Sequence, residues 1–383
     1  MGAGGREIAF LCFLAPNMLL GLFTQLEGPG GVQRASRHLA AVLSEWADRR
    51  SWTYRLLSLN DICGIHRIEI AGRRCHFEGF ARRKGSFLRA TLSATCVGPK
   101  LVFVNHPNLT PLARVVQVLT SAPVIAVGWG VDVWEPLLWY RRWAMRRLDA
   151  LLAISSYTAE QLIVVQKINP CRVRLFPLAL EPVFWERTQK PMIQRRPAGF
   201  PGGRVVLTVT RLAAVDAYKG VDLLIQALAR LPDDTHLVVV GDGDDRPRLQ
   251  ALARAQGVAH RVHFLGALER EELVACYQHC DIFALPSKGE GFGLVFLEAM
   301  AFGKPVVGGA HGGTPDIIEH GTSGFLVPHG DVEPLTATLL RLLTDPALCA
   351  EVGRRARERV AQHYLFPQFA ARLHAILDEL LAR

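Results

Sequence analysis

The residues best placed to do chemistry lie in one stretch, PSKGEGFGLVFLEAM, from Pro286 to Met300. It holds two glutamates, Glu290 and Glu298, with seven residues between them. Glu290 falls in a loop whose Gly291 and Gly293 relax the backbone, and the pattern from Leu294 onward predicts a helix with Glu298 in its second turn. A glycine loop that opens into a helix exposes main-chain N–H groups and the positive end of the helix dipole, which suits phosphate. Phe296, Leu297, Ala299 and Met300 flank Glu298 and turn it toward an apolar interior, where an ionised carboxylate needs several donors. Ligand hydroxyls are such donors, as for the acidic residue that grips a ribose in dinucleotide folds. The competing reading of Glu298 is an exposed carboxylate on a polar helix face.

Two cations precede this stretch. Arg211 follows an expected strand at 205–210, and Lys219 lies in YKG just before an expected helix from Val221. A residue at the carboxyl end of a parallel strand faces the crevice where such sheets bind ligands. Either cation alone reads as surface charge; two in one loop, opposite a phosphate-binding helix start, read as an anion site. The acidic run GDGDD at 241–245 follows a strand and precedes a helix, where Asp is an ordinary turn and cap residue, so no metal is assigned to it.

The elements that must position these groups alternate along the chain. Short apolar runs at 8–14, 101–104, 124–127, 150–154 and 173–175 are expected strands, the first followed by a loop. After GPGG at Gly28 to Gly31, apolar residues from Val32 to Ala47 fall at helical spacing. Further strands are expected at 236–240, 262–265, 282–285, 305–307 and 324–327. Alternation of this kind gives helices packed on mostly parallel sheets, an α/β fold. The expected layout is a first domain over 1–186, a Pro-, Gly- and basic-rich linker over 187–203, a second domain over 204–365, and a terminal helix over 366–383. The parent domain of that helix is open, with packing back on the first domain as one option.

Composition narrows the class. With 383 residues and 50% hydrophobic content, the chain is long and apolar enough for two or three folded domains and is neither a disordered tail nor a small disulfide scaffold. Its net charge of +9 hides a polarity: residues 1–200 carry 26 Lys and Arg against 13 Asp and Glu, and residues 201–383 carry 18 against 22. The basic half is expected to meet an anionic partner, and WYRRWAMRR from Trp139 to Arg147, with Arg82, Arg83, Lys84 and Arg89 around Phe87, suits an anionic bilayer. Nucleic acid is not assigned, because no reader motif accompanies the charge. The eight cysteines lack metal-ligand spacing and are expected to be reduced core thiols of a cytoplasmic protein. The apolar segment 8–23 is too short and too interrupted, by Pro16 and Asn17, to span a membrane.

The runs TRLAAVDAYKGVDLLIQALARL, VVVGDGDDRPRLQALA, VHFLGAL and PSKGEGFGLVFLEAMAFGKPVVGGAHGGTPDIIEHGTSGFLV, in this order across 204–365, resemble the retaining GT-B glycosyltransferases of family 4. GPGGVQRASRHLAAVL and LLAISSYTAEQL are similar to the first domain of that family. The resemblance implies two Rossmann-like domains facing across a cleft. It also implies that Glu290 holds donor-sugar hydroxyls, that Glu298 binds the ribose, and that Arg211 and Lys219 neutralise the departing diphosphate. The N–H groups of Gly293 and Leu294 would help, and Gly30 and Gly31 would let the main chain of the first domain approach the same group. Fixed positive charge at the leaving group is the largest help to breaking a glycosyl phosphate, so no metal or cofactor is expected.

One departure stands out. Many relatives end a strand of the first domain in His-Gly, whereas VGWGVDVWEP places Trp129 before Gly130. Either His106, in VNHPNLTPL, contributes on the acceptor side, or the departing phosphate takes the proton itself. The implied activity is transfer of a hexose-type sugar from a UDP- or GDP-sugar to a glycan or polyprenyl-linked acceptor, in cell-surface polysaccharide or glycolipid assembly at the inner face of a membrane. The alternative is a non-catalytic nucleotide-sugar-binding protein or partner subunit on the same fold.

Overall fold

The computed structural model describes residues 17–28 and 30–382, and the chain divides into two compact units. The first unit runs in order through β1 (Met18–Phe23), α1 (Gly31–Arg49), β2 (Thr53–Ser58), β3 (Gly64–Ile70), β4 (Arg73–Gly79), α2 (Lys84–Val97), β5 (Leu101–Val104), α3 (Thr110–Thr120), β6 (Val124–Gly128), α4 (Val131–Trp134), α5 (Trp139–Met145), β7 (Ala150–Ala153), α6 (Ser156–Val164) and β8 (Val173–Leu175). The second holds α7 (Pro182–Thr188), β9 (Arg204–Val209), α8 (Val221–Leu228), β10 (Thr235–Val240), α9 (Arg246–Ala255), β11 (Val262–Gly266), α10 (Arg270–His279), β12 (Ile282–Leu285), α11 (Leu294–Ala301), β13 (Val306–Gly309), α12 (Thr314–Ile317), β14 (Phe325–Val327), α13 (Val332–Thr344) and α14 (Pro346–His363). The last helix, α15 (Phe366–Leu381), returns to the first unit.

Eight strands in the order β3-β4-β2-β1-β5-β6-β7-β8 form the first sheet, parallel except for the β3–β4 hairpin at its edge. The expected strand at 8–14 lies outside the described residues. The segment read as the loop after it is β1 itself, central between β2 and β5. MLLGLF is buried at every position, as a central parallel strand covered on both faces must be. The second sheet, β11-β10-β9-β12-β13-β14, is parallel throughout. Its core joins Val206, Leu237, Val239, Ile282 and Val307 to the inner faces of α8 and α13.

The boundary differs from the sequence expectation. The first unit ends at Ala179, and the Leu180 N–H donates to the Tyr364 carbonyl at 2.8 Å, so the chain enters and leaves the second unit at one point. α7 packs on α11 and buries Phe184 against Tyr277. The stretch 187–203 then follows the surface of the second unit, with the Ile193 N–H donating to Gln278 and the Ile193 carbonyl facing His279 at 2.8 Å. These contacts, and the burial of Phe200, make it part of that unit rather than a free linker. The cysteines also depart from expectation. Cys75, Cys276 and Cys280 are buried, burial pushing each thiol up to about 12, whereas Cys63, Cys96 and Cys171 are exposed.

α15 is held to α1 by Trp46, whose indole N–H donates to Asp378 at 2.8 Å, and by His38, which sits edge-on to Phe366 and Phe369 at 5.3 and 5.9 Å. Burial, with Arg37 and Arg34 adding to it, pulls the His38 ring from its ordinary value down to about 3. The unfolded chain therefore takes up this proton first, and stability is full above about pH 6.5 and lost as pH falls toward 3, at up to about 1.4 kcal/mol per pH unit. His38→Leu is expected to flatten that acid slope in denaturant unfolding measured from pH 7 to pH 4.

Candidate active site

Each sheet has a point where the chain reverses its direction of growth. In the second unit it lies between β9 and β12, because β9 leads outward to β10 and β11 before the chain crosses back to β12. Ligands of open parallel sheets bind beyond the carboxyl ends of the strands at such a point. Arg211 and Lys219 follow β9; Glu290, Gly293, Leu294 and Glu298 follow β12. All six predicted residues of this unit therefore share one edge.

The turn that ends in Lys219 packs directly on the glutamate loop. The Lys288 N–H donates to the Tyr218 carbonyl at 2.9 Å, and the Lys219 ammonium is ion-paired with the Glu290 carboxylate. Glu290 is 9% exposed. Burial by itself would lower the Lys219 pKa; the charge and hydrogen bond of Glu290 outweigh it and hold the ammonium above its ordinary range. Arg211 behaves differently: its side chain is 71% exposed, and its Nε donates to the buried Asp216 at 2.6 Å. One cation is thus fixed in the floor of the site and the other leans out from its rim.

Glu298 lies on the buried face of α11, 2% exposed, which removes the reading of it as a surface carboxylate. The Tyr277 hydroxyl donates to its Oε2 at 2.7 Å. Tyr277 comes from α10 and has no signal in the sequence, because a hydrogen bond between residues of two different helices leaves no local pattern. Gly293 begins α11 at φ +104, a conformation that favours glycine. Beyond β13, Gly312 at φ +65 lets the main chain pass so close to Glu290 that a Cβ there would stand 2.4 Å from the Glu290 carbonyl, and the Gly313 N–H donates to that carbonyl at 2.7 Å. In the GDGDD turn, Asp244 accepts from the Ala214 N–H, Asp242 pairs with Arg246, and Asp245 pairs with Arg248.

The first unit presents its own edge, at the β1–β5 switch point. Gly30 caps α1 without a side-chain partner, and Gly31 is the first residue of that helix, so its first N–H groups are open to an anion. The loop before them is clamped by residues not foreseen from the sequence. Asp61 accepts from the N–H groups of Leu26 and Glu27 at 2.7 and 3.1 Å and from the Ser58 hydroxyl at 2.6 Å. Asn105 accepts from the Thr24 N–H, and Arg37 donates to the carbonyls of Leu26 and Gly28.

Trp129 and His106 also lie on this edge. The Trp129 side chain is buried and its indole N–H donates to the Asn105 carbonyl. His106 Nδ1 accepts from the Asn108 N–H at 3.1 Å, so the other nitrogen carries the proton. Burial, and then Arg141, pulls this ring down to about 4. His106 therefore offers a hydrogen-bond donor and not a base. Its Nε2 stands 4.0 Å from Asp132, a carboxyl that burial pushes up to about 7 against the hydrogen bond from the Trp129 N–H.

Removing the Asp61 carboxylate leaves two main-chain N–H groups and a buried hydroxyl without their acceptor. Asp61→Ala is expected to cost about 1–3 kcal/mol in chemical denaturation, and Asp61→Asn less.

A family profile described as Glycosyl transferases group 1 matches residues 192–359. The GDP-mannose-dependent alpha-(1-6)-phosphatidylinositol monomannoside mannosyltransferase of Mycolicibacterium smegmatis is 32% identical to this chain over 284 residues, which cover 70% of this chain and 73% of that protein. Among solved structures, sucrose-phosphate synthase from Thermosynechococcus elongatus matches with a TM-score of 0.73 at 22% identity, covering 96% of this chain and 99% of the other. HepE of Anabaena in complex with UDP matches with a TM-score of 0.75 at 20% identity, covering 95% and 100%. These two share the fold, two parallel-sheet α/β domains of the GT-B class. On the mannosyltransferase likeness and the profile together, the chain belongs to the group 1 glycosyltransferases.

Proposed function

We propose that this glycosyltransferase belongs to family 4 and is a retaining enzyme that moves a hexose-type sugar from a UDP- or GDP-sugar to a glycan or polyprenyl-linked acceptor, in cell-surface polysaccharide or glycolipid assembly. The observation that carries the reading is the Lys219–Glu290 pair at the β9–β12 switch point. A glycosyl phosphate breaks with negative charge gathering on the diphosphate and positive charge on the sugar, and this pair supplies the complement of each. The mannosyltransferase relative is named for a GDP-sugar donor and a lipid acceptor, and HepE was solved with UDP, which supports the substrate class.

In this reading Lys219, Arg211 and the N–H groups of Gly293 and Leu294 receive the diphosphate. Gly30 and Gly31 leave the start of α1 open to an anion. Glu290 takes the sugar hydroxyls beside the anomeric carbon and Glu298 the ribose. The bond from the anomeric carbon to the diphosphate oxygen breaks as the acceptor oxygen bonds to the same face, and the acceptor proton passes to the departing oxygen. The engaged Nδ1 of His106 and the indole of Trp129, which donates a hydrogen bond and cannot take up a proton, support a route without a side-chain base. No step is assigned to a metal or cofactor.

Trp129, where relatives carry His, favours one other reading: a non-catalytic donor-binding protein or partner subunit. It predicts donor binding with no turnover over an acceptor panel.

Glu290→Ala is expected to abolish sugar transfer without weakening nucleotide binding, and Lys219→Ala to lower kcat about 10²–10³-fold. Steady-state product formation measures both, and full transfer by Glu290→Ala would remove the assignment. A thermal-shift panel of UDP-, GDP- and ADP-sugars is expected to give one clear stabiliser; a flat response to all of them would contradict the donor site.

A further inference from the structure

The first unit carries a surface outside the residues assigned above to the transfer reaction. Residues 79–148 contain ten Lys and Arg and only two Asp and Glu, and no acid precedes Asp132. This stretch builds α2, α3 and α5, with α3 packed between the other two. Their inner sides supply Phe87, Ala94, Ala113, Val116 and Met145 to the core. Their outer sides remain apolar where solvent should favour polar groups. Leu88 and Leu92 on α2, Val115, Val118 and Leu119 on α3, and Trp139 and Trp143 on α5 are all exposed, Trp139 to 79% and Val118 to 64%. Exposed apolar side chains on three neighbouring helices mark an interaction surface.

Its charge says what kind. Arg114, Arg146, Arg147 and Arg172, with Trp143, line an open depression of about 620 Å³. Among the described residues none of these four meets a carboxylate. Arg114 donates to the Gln117 amide, and Arg172 to the carbonyls of Arg146 and Leu148. The Arg147 guanidinium lies 4.5 Å over the Trp143 ring. The Arg114 Nε is buried without an acceptor. Four cations gathered without counter-charge call for an anionic occupant. The aliphatic and indole side chains beside them call for one that is apolar just behind its charge.

We propose that the α2–α3–α5 face docks on an anionic phospholipid bilayer. The arginines hold lipid phosphates, while Val118, Leu119, Trp139 and Trp143 enter the boundary between headgroups and acyl chains. The contact lies in the interface, since no helix among the described residues is long and apolar enough to cross a membrane. The donor groups of the second unit take no part, so this proposal can fail while the transfer reading stands.

The test is co-sedimentation of the full chain with vesicles of phosphatidylcholine alone or mixed with phosphatidylglycerol. Two variants accompany it, Arg146→Gln with Arg147→Gln, and Val118→Ser with Trp139→Ser. All four side chains are exposed, and both variants are expected to keep the wild-type melting temperature and nucleotide response. Wild type is expected to bind only the phosphatidylglycerol vesicles, and each variant to lower that partitioning about tenfold or more. Absence of wild-type binding, or binding by both variants at the wild-type level, overturns the proposal. Binding lost with the arginines but indifferent to Val118 and Trp139 also overturns it, and marks a surface for soluble polyanions.

Discussion

A buried carboxylate beside a half-buried ammonium is the constraint around which the second unit is built. Glu290 cannot stay ionised and nearly out of solvent without a partner, and Lys219 is that partner. The pair ties the loop after β9 to the loop after β12, two segments that meet only because the sheet reverses its order there. The glycines follow from the same need. Gly220 at φ +75 and Gly312 at φ +65 are turns that bring the main chain against the glutamate loop, where a side chain would collide. The Gly313 N–H, donating to the Glu290 main-chain carbonyl, then holds the backbone of the glutamate loop in place.

Such an arrangement stores charge at low cost and can redistribute it. While the site holds no anion, the carboxylate balances the ammonium. In the proposed reading, Lys219 would face an arriving diphosphate without having to be desolvated anew, and Glu290 would be left for the sugar hydroxyls. Arg211, held from behind by Asp216 and exposed at its tip, suits an approach from solvent. The first unit handles its switch point otherwise. There the positive end of α1 is left open, and the loop that leads into it is stiffened by Asp61, Asn105 and Arg37.

Much of this could be read from the chain. The glutamate spacing, the glycines before Leu294 and the YKG turn carry their chemistry in local sequence, and the alternation of apolar runs gave the two α/β units. What stayed hidden is what depends on distant partners. Tyr277 meets Glu298 only through the tertiary fold, from a different helix, and Asp61 meets its loop only because β1 and β2 lie side by side. β1 lies where the expected pattern has a loop after a strand at 8–14, although the six residues MLLGLF after Asn17 are those that a doubly covered strand requires. The boundary at Ala179 was missed for a similar reason. Gln278 and His279, which hold the stretch near Ile193, are far along the chain from it.

Calorimetric titration of a nucleoside diphosphate into the wild type, Lys219→Met, Glu290→Gln and the double variant tests the central role of the pair most directly. Lys219→Met should weaken binding about tenfold or more, an interaction worth at least about 1.4 kcal/mol. Glu290→Gln should leave it unchanged or tighter, because it frees the ammonium. The two effects should be non-additive, as expected for groups in contact. Affinities unmoved by Lys219→Met, with strictly additive effects in the double variant, would contradict the account.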